Sequence, residues 1–162
     1  MEDFIDKKTG QIEDMNPDDV IEIIIHCSDT SASPTLGVED IYRWHTKGNG
    51  WLDCGYHYVI KTDGEIQLGR PEYKVGAHCL GENRRSIGIC YIGGRKPSGH
   101  PGDTRTYAQK ISLAYLMGNL LHRFKNIRAI YGHNDFSVKV CPCFDAKSEY
   151  KDFISKYRNI NS

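Results

Sequence analysis

His133 and Cys141 stand eight positions apart in Gly132-His133-Asn134-Asp135-Phe136-Ser137-Val138-Lys139-Val140-Cys141-Pro142, a segment too polar and too closely bounded by proline to be one helix face. A neutral imidazole and a thiolate are borderline and soft donors that suit zinc. Two donors do not make a site. His26, which follows the apolar run Ile23-Ile24-Ile25, is the best candidate for a third. Lys139, two residues before Cys141, projects to the cysteine's side on an extended backbone and sets a cation beside a metal-bound substrate. Three protein donors leave a fourth tetrahedral position for water, the arrangement of a catalytic zinc that acidifies water and polarises a carbonyl. Such a centre hydrolyses amides or esters. The competing metal reading is a structural zinc closed by Cys143, Cys27 or Cys54, with no position open for chemistry.

The elements that must position these residues read as an α/β fold. The β-branched run from Val20 to Ile25 predicts a strand buried on both faces, with His26 at its C-terminal end and a small polar loop from Cys27 to Pro34 after it. A short strand over Ile127 to Tyr131 delivers His133 in the same way, so the two histidines are neighbours if the two strands are adjacent. Val38, Ile41, Tyr42 and His45 predict a helix from Val38 to Thr46, stopped by Gly48-Asn49-Gly50, with His45 facing the core or a substrate groove. Tyr56 to Lys61 and Glu65 to Leu68 flank an Asp63-Gly64 turn as a β-hairpin, Tyr56 and Tyr58 on one face and His57 and Val59 on the other. Ser86 to Ile92 is a further strand. Thr106 and Gln109 form a capping box ahead of the stripe Leu113, Leu116, Met117, Leu120 and Phe124, and Asp145 caps a last helix bearing Tyr150, Phe153, Ile154 and Tyr157. Residues 1 to 17 read as an arm or short helical extension to which no chemistry is assigned.

Length and composition narrow the function classes. The 162 residues suit one domain, here 20–162 with an extension over 1–19. Twenty-one basic residues balance twenty-one acidic ones, which argues against a nucleic-acid or anionic-membrane surface as the main partner. No apolar run approaches the length of a membrane span. The start, Met1-Glu2-Asp3-Phe4-Ile5-Asp6-Lys7-Lys8, lacks the basic and apolar regions of a secretory signal, so synthesis and retention in a cytoplasm are expected, with export by another route. In such a compartment the six cysteines read as free thiols plus one metal ligand.

Several segments, taken together and in order, carry a resemblance: Ile24-Ile25-His26-Cys27-Ser28, Trp44-His45, Gly50-Trp51-Leu52-Asp53-Cys54-Gly55-Tyr56-His57-Tyr58, Val75-Gly76-Ala77-His78, Asn83, Ser86-Ile87-Gly88 and Gly132-His133 through Cys141-Pro142-Cys143-Phe144-Asp145. Over roughly residues 20 to 155 the chain resembles the zinc-dependent N-acetylmuramoyl-L-alanine amidases of the T-odd-phage lysozyme type, to which peptidoglycan recognition proteins are similar. The resemblance implies a single-domain fold with a central mixed β-sheet flanked by helices. It implies His26, His133 and Cys141 as ligands of Zn2+, with Tyr56 and Lys139 in the two catalytic positions. His78 and Asn83 match polar positions of the substrate groove, Arg84 or Arg85 is expected to meet carboxylates of the stem peptide, and His57 either orients a ligand by a hydrogen bond or faces the core. The implied reaction is attack by water on the lactyl carbonyl joined to L-alanine in peptidoglycan or muropeptides, as in a monomeric phage or prophage endolysin acting on the periplasmic or extracellular wall. Cys143 departs from the small residue usual at its position and is expected to compete for metal or to oxidise with Cys141. A second reading is a binding module: a non-catalytic recognition protein, or a regulator that contacts an RNA polymerase. Retention of Cys141 with Tyr56 and Lys139 favours the enzyme.

Overall fold

The computed structural model describes residues 4–161; Met1 to Asp3 of the expected extension, and Ser162, lie outside the described residues. In chain order the elements are β1 (Glu22–Cys27), β2 (Thr30–Ser31), α1 (Val38–Arg43), β3 (Tyr58–Ile60), β4 (Ile66–Leu68), β5 (Ser86–Tyr91), β6 (Gly94–Arg95), α2 (Tyr107–Arg123), β7 (Ala129–Gly132), α3 (Ala146–Glu149) and α4 (Phe153–Ile160). Five strands form a mixed sheet in the order β4-β3-β5-β1-β7, and β2 pairs with β6 beside it. Strands β3, β5, β1 and β7 run parallel, and β4 closes one edge as the antiparallel arm of the expected hairpin.

All six residues of β1 are buried, as the unbroken apolar run requires of a strand covered on both faces. Ile23 and Ile25 point into the main core with Ile87, Ile89, Tyr58 and Ile60, where Leu113, Leu116, Met117 and Leu120 of α2 cover them. The capping box predicted for α2 is present: Thr106 accepts from the Gln109 N–H at 3.0 Å, and Gln109 accepts from the Thr106 N–H at 2.9 Å. The opposite face holds a smaller cluster of Ile41, Cys54, Val59, Cys90 and Ile92. Strand alternation puts His26 on that second face. The main core therefore fixes the sheet, and the thinner face is left for a site.

Four local expectations are changed or narrowed. Tyr56 does not share a face with Tyr58 but packs against the smaller cluster with Val59. Regular strand begins only at Tyr58; before it, the successive carbonyls of His57 and Tyr56 accept from Gly69 N–H and Arg70 N–H, so strict alternation breaks. The last helix is split into α3, capped by Asp145 through the Ser148 N–H, and α4. Residues 4–15 are not helical. Backbone bonds from Asp6 to Gln11 and from Glu13 to Phe4 fold them into a hairpin-like arm, with Ile12 and Met15 buried. Helix α1 is also shorter than its apolar spacing suggests, opening into one wide π-type turn over Trp44–Gly48 as the Thr46 hydroxyl donates back to the Tyr42 carbonyl.

At the start of β1, far along the strand from His26, Glu22 is 5% exposed and its Oε1 has no hydrogen-bond partner. Arg85 sits 3.5 Å from it and is engaged at 2.5 Å by Glu82. Burial, reinforced by the hydrogen bond to Glu82, raises the Glu22 carboxyl from 4.5 to about 8. A carboxyl raised in the folded state contributes stability that is complete below its unfolded value and is lost as pH rises through the folded one. Glu22→Gln keeps a donor toward Glu82 without the titration, so it should gain stability relative to the parent between about pH 5 and about pH 9, by on the order of 1–3 kcal/mol. Urea melts of both proteins across that range test this; parallel pH profiles would refute it.

Candidate active site

Parallel pairing sets the first two candidate ligands side by side. In the β1/β7 register Ile25 pairs with Gly132, so the next residues, His26 still within β1 and His133 just past the end of β7, are neighbours with ring centroids 4.7 Å apart. Cys141 arrives from the loop after β7. Its sulfur lies 4.0 Å from His26 Nδ1 and accepts from the Cys27 backbone N–H at 3.2 Å. One donor atom from each of His26, His133 and Cys141 lies within 4.8 Å of the others. Donors on one tetrahedral zinc are about 3.5 Å apart, so small side-chain rotations suffice to share an ion. Among the described residues the group stops at three: Cys27, Cys54 and Cys143 are not members, so the geometry favours an open site over the closed structural one.

The electrostatics suit metal binding. Burial, with His78, His133 and Lys139 nearby, holds His26 well below the ordinary histidine range, and burial with Lys139 lowers His133. Both imidazoles are therefore neutral, the form that ligates. The Cys27 thiol is pushed up by its contact with the Cys141 sulfur and by burial, so it remains a protonated neighbour.

His26 is oriented by a chain of hydrogen bonds. With Nδ1 turned to the sulfur, Nε2 carries the proton and donates to His78 Nδ1 at 2.8 Å. His78 Nε2 then donates to Ser86 Oγ at 3.2 Å, and the Ser86 hydroxyl donates to the Glu82 carbonyl at 2.8 Å. Each bond fixes the direction of the next, ending on a backbone oxygen. Asn83 Oδ1 accepts from the backbone N–H groups of His78 and Cys79 at 2.9 and 3.0 Å, pinning the residue that carries the ring. Gly88 makes the space: a Cβ there would lie 2.6 Å from His78 Cγ.

The other expected residues separate into those that face the cavity and those that do not. A cavity of about 480 Å³ is lined by Tyr56, His133, Lys139 and Cys141, with His45 and Trp51 on one wall and Arg95 on another. Lys139 is exposed at the rim, and the Tyr56 ring packs 5.0 Å from the His26 ring and 5.4 Å from that of His45. His78 touches the cavity but is 1% exposed, with both ring nitrogens engaged inside the protein. The ligand-orienting bond expected of His57 is made by His78 instead. His57 accepts from the Gly88 N–H at 3.0 Å and donates to the Lys74 carbonyl at 2.9 Å, and burial lowers it to about 4. Asn83 is 2% exposed and spends its side chain on backbone groups, so it offers nothing to a groove. Arg84 lies on the N-terminal arm, bidentate to Glu13 at 3.0 and 3.1 Å and 4.2 Å from the Phe4 ring. Arg85 is committed to Glu82 and Glu22.

Sequence reasoning missed Ser86 and Gly88 as parts of the His26 support, and Arg95 in the wall. The one available signal was a glycine in the middle of the otherwise apolar strand Ser86–Tyr91, which marks a close approach. Arg95 is held by Asp29 at 2.8 and 3.2 Å across the cavity mouth, a pairing across 66 positions that spacing does not reveal.

The sequence profile described as N-acetylmuramoyl-L-alanine amidase matches residues 16–144. The endolysin of Enterobacteria phage T3 is 43% identical over 125 residues, covering 77% of this chain and 82% of the relative. That of Escherichia phage T7 is 42% identical over 125 residues with the same coverage. Among solved structures, the N-acetylmuramoyl-L-alanine amidase LysC from Clostridium intestinale URNW superposes with a TM-score of 0.71 at 28% identity, over 88% of this chain and 87% of that one. A profile match over most of the chain, joined to relatives of this identity and coverage, means that the chain belongs to the N-acetylmuramoyl-L-alanine amidase family.

Proposed function

We propose that the protein hydrolyses the amide bond between N-acetylmuramic acid and L-alanine in peptidoglycan, as a zinc enzyme of the endolysin type. The observation that carries this reading is the meeting of the His26, His133 and Cys141 donors at a cavity that His133 and Cys141 line together with Tyr56 and Lys139, His26 lying buried just behind its wall. The donor set, two neutral imidazoles and a thiol with no fourth protein donor in the group, suits zinc with a position left for chemistry. When bound, zinc supplies Lewis-acid polarisation of a carbonyl and acidification of water. The same cavity supports binding of peptidoglycan or muropeptides.

The chain's own groups do the rest. As water adds to the lactyl carbonyl, negative charge develops on its oxygen. The Tyr56 hydroxyl and the Lys139 ammonium line the cavity beside the candidate ligands and stabilise that charge as donor and cation. Burial raises the Tyr56 phenol well above its ordinary value, so it serves as a donor at neutral pH. Asp29, the one carboxylate in the wall among the described residues, is held by Arg95, so proton transfer does not fall to a glutamate or an unpaired aspartate. The His78 bond keeps the proton of His26 on Nε2 and its Nδ1 free to ligate. The non-catalytic alternative gains no specific support, since the cysteine, tyrosine and lysine all face the cavity.

Purified protein incubated with peptidoglycan should release stem peptides with N-terminal L-alanine, lose this activity to a chelator and regain it with zinc. Glycan reducing ends in place of the peptides would overturn the amidase reading. Cys141→Ser should lose both zinc and activity. Tyr56→Phe should retain zinc while turnover falls by roughly 10²–10³-fold; normal turnover removes the tyrosine from the mechanism. His78→Leu should weaken zinc binding by roughly 10- to 100-fold, measured by competition with a chromophoric chelator on folded protein. His57→Leu, which breaks only backbone braces, should leave zinc affinity unchanged. Equal zinc affinities for the two variants would remove the orienting role of His78.

A further inference from the structure

Two more thiols meet at the sheet edge where the candidate ligands lie. Cys27 ends β1 and is 4% exposed; Cys143 follows Cys141-Pro142, is partly exposed and lines the cavity. Their sulfurs are 3.9 Å apart. Gly94 leaves the slot in which they meet: a Cβ there would lie 2.5 Å from Cys27 Sγ and 3.6 Å from Cys143 Sγ. Cys143 adopts a left-handed backbone conformation (φ 69°), and its sulfur faces Cys27 and the Gly94 carbonyl. Cys141, in contrast, turns its sulfur to His26 and to the Cys27 backbone N–H. The Cys27 thiol also touches the Cys141 sulfur, but Cys141 is engaged by His26 and the Cys27 main chain, so of the three neighbouring thiols Cys143 is the partner left for Cys27.

We propose that Cys27 and Cys143 form a disulfide when the protein meets a thiol–disulfide oxidant, and that this cross-link fastens the loop carrying Cys141 to the strand carrying His26. With oxidised glutathione, the Cys143 thiolate attacks one sulfur of the oxidant and expels one glutathione thiolate. The Cys27 thiol, held against Cys143, then gives its proton to a solvent base as its sulfur attacks the Cys143 sulfur of the mixed disulfide and expels the second. Two protein thiols thereby lose two electrons and two protons, and one glutathione disulfide becomes two glutathione thiols. Bond formation shortens the sulfur separation to about 2.05 Å, a movement shared by two side chains. The closed loop spans most of the chain, so the bond strongly restricts the unfolded state, and the bacterial envelope is a compartment where it would persist. The pairing rests on the two sulfurs and stands whether or not the amidase reading does.

The test incubates the zinc-loaded protein with excess oxidised glutathione at about pH 8.5 until a surface thiol standard has fully exchanged several times over, time enough for thiols that burial pushes up. Remaining thiols are then blocked, and peptides are mapped by mass spectrometry. The expected product is a Cys27–Cys143 cross-linked peptide lighter by two hydrogens, zinc still bound, and a Tm that rises and returns on reduction. Cys143→Ser, at a partly exposed position, should keep zinc yet show neither the cross-link nor the rise in Tm. A Cys141–Cys143 or Cys27–Cys141 link with loss of zinc, a glutathione adduct on Cys143 that never resolves, or thiols left unreacted would overturn the proposal.

Discussion

The site depends on the register of two parallel strands. Because β1 and β7 run in the same direction with Ile25 opposite Gly132, both chains reach the same edge together, and the next residue of each is a histidine. Backbone hydrogen bonding thus determines their proximity, with no reliance on long flexible side chains. The third donor follows the same logic, since a main-chain N–H of Cys27, one residue beyond His26, receives the Cys141 sulfur. A slip of one residue in the pairing would turn a histidine to the wrong face, and the buried apolar run of β1 guards against it by requiring a fixed pattern on each side.

The polar chain behind His26 runs through an interior that is otherwise apolar. Buried polar groups are costly unless every donor and acceptor is used, and the path from His26 through His78 and Ser86 to the Glu82 carbonyl uses each in turn. Asn83 pins the backbone of His78 and Cys79, while His57, next to the His78 ring, spends its own nitrogens on the Gly88 N–H and the Lys74 carbonyl. Burial keeps these histidines uncharged, so the same physics that closes the core also prepares the imidazoles to ligate. Far along β1, burial acts in the opposite chemical sense at Glu22, favouring the protonated acid.

The architecture was legible where a single pattern decided it. The β-branched run announced β1, the Asp-Gly turn announced the hairpin, and Thr106 with Gln109 announced α2. The candidate metal group was legible because its members follow or flank recognisable strands. The supporting residues were not, because their roles depend on contacts between distant segments. His78 and His57 are both buried histidines in loops or strand starts, and nothing in their spacing says which one meets His26; that is decided by the missing side chain at Gly88. Asn83 and Arg84 were placed at the groove by the family resemblance, whereas one satisfies backbone donors and the other clasps the N-terminal arm. Tyr56 reached the cavity face against strict alternation because the strand is irregular before Tyr58.

The arm lies ahead of the family match, which begins at residue 16, yet it is continuous with the site's supports. Glu13 and Met15 bond to the main chain at Val75 and Tyr73, while Lys74 reaches the Ile12 carbonyl and Asp14 with its ammonium and presents its own carbonyl to His57. The arm is a buttress for the His57–His78 shelf. Any graft that swaps this leading segment between relatives must bring matching strand partners for Tyr73 and Val75, or the shelf loses its outer wall.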